Sequence, residues 1–169
     1  TAENCRYPVR KTQENGDDRT KPANIIITCT DNTRSRLELW RFLKKYRETS
    51  VNNERAVYYW MDFGNAQTTG QVFIGTVRNK IRQPASKEFM PVPGMNVITE
   101  EVNYSTIEEK DSEPSCSLAE ALERQDLYIN SILAQVGCDI LWRMFKEGRT
   151  LYRGAYINLD TLRVNPIPV

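Results

Sequence analysis

Asp31 and Asn32 stand just beyond an uninterrupted β-branched run, Ile25-Ile26-Ile27. Such a run suits a strand buried on both faces, as in a parallel sheet covered by helices. Ligands of open α/β sheets sit outside the carboxyl ends of the strands, so this carboxylate and amide lie where a site forms. The same residue types also cap helices, and Asn32 or Thr33 fits as the N-cap of a helix that follows. Cys116 lies between Ser115 and Ser117, at the start of the longest helical pattern in the chain. A helix N-terminus lowers a thiol pKa, and the thiolate is the nucleophile. The plainer alternative is a small residue flanking a helix. Cys29 at a strand end, Cys138 among apolar helical neighbours and Cys5 near the start are less suited to such a role. The chain contains no histidine. That removes Ser-His and Cys-His activation and any site built on imidazole ligands.

The elements that must position these residues follow from periodicity. Residues 1–22 are polar, with a turn at Asn15-Gly16-Asp17-Asp18 and two prolines, and read as a lead-in. After the first strand, Leu37, Trp40, Leu43 and Tyr46 recur at helical spacing. Ala56–Met61 is a second strand, with Asp62-Phe63-Gly64-Asn65 as the turn after it. A turn of about eight residues then leads to a third strand, Gln71–Val77, in a hairpin that needs no crossover helix. Arg78–Glu113 is irregular, with Val97-Ile98-Thr99 as a short strand. So long a connection reads either as a loop crossing a site or as a surface excursion. The long helical pattern opens at Pro114–Cys116, with Ser117 or Ser115 as its cap and Glu120 three residues beyond Ser117, as in a capping box. It runs through Leu118, Leu122, Ile129, Ile132, Leu133 and Val136, has a break at Gly137, and stops at Gly148. Tyr152–Leu159 and Leu162–Val164 read as two terminal strands, with their turn near Asn158–Asp160.

Composition bounds the function classes. The 169 residues make one domain or a large piece of one, and 23 basic against 22 acidic residues leave a net charge of +1. Nucleic acid is not the expected partner, because a phosphate-binding surface shows as a basic excess. The four cysteines form no C-x-x-C pair, so no structural zinc is expected. They are also too sparse for a secreted disulfide scaffold. No apolar run approaches the roughly 20 residues of a membrane span, and no signal peptide is visible. A cytoplasmic setting is the expectation. A chain that starts at Thr1, with its first strand near residue 25, reads as a fragment or a processed chain.

Three stretches together resemble the ThiF/HesA/MoeB superfamily of ATP-dependent enzymes that activate ubiquitin-like proteins. Cys29-Thr30-Asp31-Asn32 with Arg36 is similar to that family's C-T/V-D-N-x-x-x-R segment. Asp62-Phe63-Gly64-Asn65 through Gly70-Gln71-Val72 is similar to its next strand, turn and glycine-led strand. Pro114-Ser115-Cys116-Ser117 is similar to the P-x-C-T/S element of the ubiquitin-activating branch. The wording looks most like bacterial ThiF-like proteins of the PRTRC type, over about residues 24–169. The G-x-G-G-x-G turn of that family has no counterpart here. The resemblance therefore implies an α/β fold over residues 23–169: the C-terminal part of a Rossmann-like ThiF/MoeB-type domain, a mixed sheet with flanking helices.

The resemblance implies an activity as well. A complete enzyme of this kind joins the C-terminal carboxylate of a ubiquitin-like or sulfur-carrier partner to AMP, using ATP and Mg²⁺. The motif places Asp31 beside the phosphates and the metal, with Asn32 and Arg36 on the nucleotide side. Arg36 pairing with Asp31 is the structural alternative. Cys116 is implied as the acceptor of the acyl group in a thioester, and a homodimer is implied as the assembly. The rival expectation is a non-catalytic interaction or dimerisation module derived from the same fold, inactive alone for want of the glycine-rich loop.

Overall fold

The computed structural model describes residues 24–30, 32–49, 57–78, 81, 87–88, 90, 92, 94–104 and 126–169, with the side chains of 45–49 set aside. The elements run β1 (Ile25–Thr28), α1 (Thr33–Thr49), β2 (Tyr59–Asn65), β3 (Thr69–Thr76), α2 (Ile98–Glu101), α3 (Ile129–Glu147), β4 (Tyr152–Asn158) and β5 (Arg163–Pro168). The strands form one sheet in the order β1-β2-β3-β4-β5. β1 and β2 are parallel, with Ile26 beside Trp60 and Thr28 beside Asp62. The remaining neighbours are antiparallel. The fold is thus α/β, with a five-stranded mixed sheet and flanking helices.

Side chains alternate across a strand, and both faces of this sheet are covered. On the first face Ile26, Trp60 and Phe73 meet Trp40 and Leu43 of α1, together with Val97, Ile98 and Tyr104. On the second face Met61, Val72, Ile74 and Ala155 meet Ile140 of α3, while Ile157 meets Ile129 and Leu133. The helical spacing of Leu37, Trp40 and Leu43 therefore places the sheet-facing side of α1 correctly. Asn32 caps that helix: its Oδ1 accepts the Ser35 N–H at 2.8 Å.

Several expectations change. Ile27 is 54% exposed rather than buried on both faces. Among the described residues β1 is an edge strand, and α3 packs on β2, β3 and β4. Asp62–Asn65 is not a turn but the second half of β2, because Asp62 is paired inside the fold. The hairpin turn is only Ala66–Thr68, closed by the Ala66 N–H on the Thr69 carbonyl at 2.8 Å. Val97-Ile98-Thr99 is not a strand: Ile98–Glu101 is a short helix that plugs the first face. Gly137 does not break α3, because its bare α carbon receives the Phe63 ring. Gly148 does end that helix, at φ +67°. Residues 126–128 form a turn, so α3 starts at Ile129 and is not continuous with the stretch that begins near Ser117. The proposed capping box falls in residues 105–125, outside the described residues. Both terminal strands form, but the second runs Arg163–Pro168 rather than stopping at Val164, and β5 admits Pro166 and Pro168 because among the described residues it is an edge strand. No described helix is long and apolar enough to cross a membrane.

Gly75 shows how tightly the 94–104 segment lies on β3. A side-chain carbon there would stand 2.6 Å from the Val97 α carbon and 2.5 Å from the Asn96 carbonyl oxygen. Both are backbone atoms and cannot rotate away. Gly75→Ala is expected to lower stability by about 1–3 kcal/mol, as overpacking does. Urea denaturation measures it, and an unchanged midpoint would mean that this segment lifts freely.

Candidate functional site

The carboxyl ends of the parallel pair β1 and β2 lie at one edge of the sheet. Cys29 and Thr30 follow β1 at that edge, where the 66–68 turn and the 159–162 turn also lie. The Leu159 N–H donates to the Thr68 carbonyl at 2.8 Å, and Thr68 Oγ1 donates to Asp160 Oδ2 at 2.7 Å. The Asp126 N–H donates to the Gln67 carbonyl at 2.7 Å. The chain thus leaves the first face at Tyr104 and rejoins the described residues at this edge.

The centre of the edge is a buried ion pair. Alternation along β2 turns Trp60, Asp62 and Gly64 toward α1. Arg36 projects from the first turns of α1 to meet them. Its Nε donates to Asp62 Oδ2 at 2.8 Å, with side-chain exposures of 7% and 1%. Its Nη2 donates to two carbonyls, Thr30 at 2.7 Å and Phe63 at 2.9 Å. The other Asp62 oxygen, Oδ1, accepts from Thr28 Oγ1 at 2.6 Å, and that hydroxyl accepts from Trp60 Nε1 at 2.8 Å. One guanidinium therefore ties Thr30, just past β1, to β2, and Thr28 joins the network through Asp62. Gly64 makes room for it: a side-chain carbon there would lie 3.0 Å from Arg36 Nη2 and 2.6 Å from Gln71 Nε2.

Burial dominates the electrostatics. It pushes the Asp62 pKa up, against the Arg36 charge and the hydrogen bonds from Thr28 and Arg36, which pull it down. Tyr104 belongs to the same first-face cluster and is 8% exposed. Its pKa is pushed up to about 12, first by burial and then by Asp62 and Tyr156, with Arg36 pulling the other way. The Tyr104 hydroxyl is buried without a hydrogen-bond partner, and so is Thr30 Oγ1.

Of the residues singled out from the sequence, Arg36 is buried in this pair and Asn32 is exposed as the helix cap. Asp31 and Cys116 lie outside the described residues. Asp62 is a poor ligand for a cation, since both its oxygens are engaged and a guanidinium stands beside it. Among the described residues no group of three or more carboxylates or thiols converges. Beside the pair, over β3–β5, an open groove of about 270 Å³ is lined by neutral polar groups, among them Thr69, Gln71, Tyr156, Asn158 and Asn165.

Sequence reasoning missed Asp62, Thr28 and Tyr104. For Asp62 a signal existed: two residues after Trp60 in a strand, it shares the inward parity of that tryptophan. Cys29 and Cys138 are both exposed. No family model matches the chain, and no curated protein matches its sequence.

Proposed function

We propose that this chain is the C-terminal part of a Rossmann-like ThiF/MoeB-type domain that adenylates the C-terminus of a ubiquitin-like or sulfur-carrier protein. The supporting observation is the strand–turn–helix Ile25–Thr49, which carries the C-T-D-N segment at the carboxyl edge of a parallel strand pair with its motif arginine, Arg36, buried behind it. Ligands of α/β sheets bind at such an edge. In this reading the partner's terminal carboxylate oxygen attacks the α-phosphorus of ATP, and pyrophosphate leaves. The Cys116 thiolate then attacks the acyl carbonyl, AMP leaves, and the thiol proton passes to solvent. Asn32 offers its side-chain N–H groups to the nucleotide, and Arg36 holds the Thr30 carbonyl, one residue before the motif aspartate. Asp31 would hold Mg²⁺, which when bound screens the charge of two approaching anions. The glycine-rich nucleotide loop is missing from these residues, so the 169-residue chain alone is expected to be inactive.

Intact mass of the full-length native protein, incubated with ATP, Mg²⁺ and its small-protein partner, tests this. The expected result is a covalent adduct that thiols cleave, lost in Cys116→Ala and absent from the 169-residue chain. A second reading, a cytoplasmic interaction or homodimerisation module, is favoured by the exposed Ile27, Trp142 and Phe145, at 54%, 60% and 71%. Stable partner binding without any adduct would establish that reading instead.

A further inference from the structure

Helix α3 has a second face. Its buried residues Ile129, Leu133, Gly137 and Ile140 face the sheet. On the opposite side, at about 3.6 residues per turn, lie Tyr128, Ser131, Gln135, Cys138, Trp142 and Phe145, all exposed. Their spacing is the a/d pattern of a helix that pairs with another helix. Tyr128, Trp142 and Phe145 are 63%, 60% and 71% exposed. Single exposed aromatics are ordinary, but these three share one stripe. The charges around them are matched. Arg143 Nε pairs with Asp139 at 2.8 Å, and Lys146 Nζ lies 5.7 Å from the centre of the Trp142 ring. Along the helix Asp126, Asp139 and Glu147 balance Arg143, Lys146 and Arg149. The helix thus has no basic excess for a nucleic acid or an anionic membrane.

We infer that α3 pairs with α3 of a second copy of this chain, antiparallel about a twofold axis beside Gln135 and Cys138. The gaps along the stripe are 3, 4, 3, 4 and 3 residues, which read the same from either end. Reversing one copy therefore sets Phe145 against Tyr128, Trp142 against Ser131, and Cys138 against Gln135. Each aromatic ring meets another ring or a small side chain, so the layers fill without two tryptophans colliding. Charge selects the same direction. The N-terminal end carries Asp126, and the C-terminal end carries Lys146 and Arg149. Antiparallel pairing brings unlike ends together twice, whereas parallel pairing sets like ends and like dipole poles side by side. A twofold contact uses the same patch on both copies and closes as a dimer. Covering the stripe removes roughly 500–600 Å² from each copy. The pair then buries about 1,000–1,200 Å², the lower end for a specific interface. A dimer of micromolar strength is the consequence. It supplies the surface for the homodimerisation reading above and holds under the adenylation reading too, because α3 lies on the face of the sheet away from α1.

Sedimentation velocity of the full-length native protein across the micromolar range tests this, with wild type, Trp142→Glu and Arg34→Glu compared. Trp142 and Arg34 are both exposed, so neither change disturbs the core. Wild type is expected to dimerise, and Arg34→Glu to leave the dimer unchanged. Trp142→Glu is expected to weaken it roughly 30-fold or more, as loss of an aromatic anchor does. Cross-linking then fixes the direction. Tyr128→Cys and Phe145→Cys proteins, differently tagged, are mixed and treated with a short bis-maleimide, and the linked peptides are read by mass. Position 128 of one protein joined to position 145 of the other is the expected product. Linkage of 145 to 145, or no linkage at either position, overturns the inference. So does a monomeric wild type, or a dimer that Trp142→Glu leaves intact. A monomer that binds anionic lipid vesicles, and loses that binding in Trp142→Glu, assigns the stripe to a membrane instead. None of these readouts involves ATP or Cys116, so a missing adduct refutes the adenylation reading without touching the dimer.

Discussion

Arg36→Met is expected to cost about 3–5 kcal/mol of folding stability, because it leaves a buried carboxylate without its cation. Asp62 is 1% exposed, so water cannot take over the role of Arg36 without opening the packing of α1 on β2. The Thr30 and Phe63 carbonyls lose their donor at the same time. The loss has a pH signature. Burial already raises the Asp62 pKa, and Arg36 is the largest influence pulling it down. Without Arg36 the folded-state pKa rises further. A group whose folded pKa is raised contributes stability below its unfolded pKa, about 3.9 for aspartate, and loses that contribution as pH rises through the folded value. The deficit of Arg36→Met against wild type is therefore smallest near pH 3 and grows to its full size at neutral pH. Urea denaturation across pH 3–8 measures it. A deficit that does not change with pH would mean that the charge of Asp62 is not what Arg36 compensates. The double variant Arg36→Met/Asp62→Leu is expected to recover most of the loss, since replacing both members of a buried pair by apolar residues is often neutral.

That contrast explains which parts of the molecule were legible in the sequence. Local signals carried through where one element decides the outcome. The change from a β-branched run to helical spacing located β1 and α1, Asn32 capped the helix, and Gly148 stopped α3. Signals failed where a distant partner decides. Asp62 looked like the start of a turn because an aspartate after apolar residues usually leaves the core. It stays in β2 because an arginine 26 positions away meets it. Gly137 looked like a break because glycine weakens helices. It is instead the hollow into which Phe63 fits, and Phe63 is on another element. Ile27 looked buried because its neighbours in sequence are apolar. Its exposure depends on which strands α3 covers, and nothing in the run itself encodes that. The candidate site follows the same rule: the edge was readable, but the Arg36–Asp62–Thr28–Trp60 chain that builds its floor joins three elements.

Phe73→Ala is expected to be the other large loss, about 3–5 kcal/mol, at the upper end of that range. Phe73 is 2% exposed on β3, the middle strand of the sheet. It lies opposite Asp62 on one side and Gly154 on the other. The Tyr156 ring meets its edge at 5.9 Å and an interplanar angle of 68°. The Arg153 guanidinium stands 4.9 Å from the ring centre. From there Arg153 reaches Glu101 at 2.7 Å and the Asn96 and Pro168 carbonyls, each at 3.2 Å. Truncating Phe73 therefore opens a cavity and also removes the surface on which Arg153 lies as it joins α2 to β5. A cation over a ring is worth about 0.5–2 kcal/mol depending on solvent. A cycle with Arg153→Met is expected to show coupling within that range, because both changes remove one contact. The cavity also borders the Asp62 side of β3. Water admitted there would hydrate the carboxylate and weaken its hold on Arg36, so Phe73→Ala is expected to speed hydrogen–deuterium exchange in residues 24–36 as well. Phe73→Leu, which fills most of the space, should cost less and leave that exchange unchanged. A loss below about 1.5 kcal/mol for the alanine variant would mean that the first face collapses around the gap, and that the sheet does not depend on this ring to hold Arg153 and the Asp62 side together.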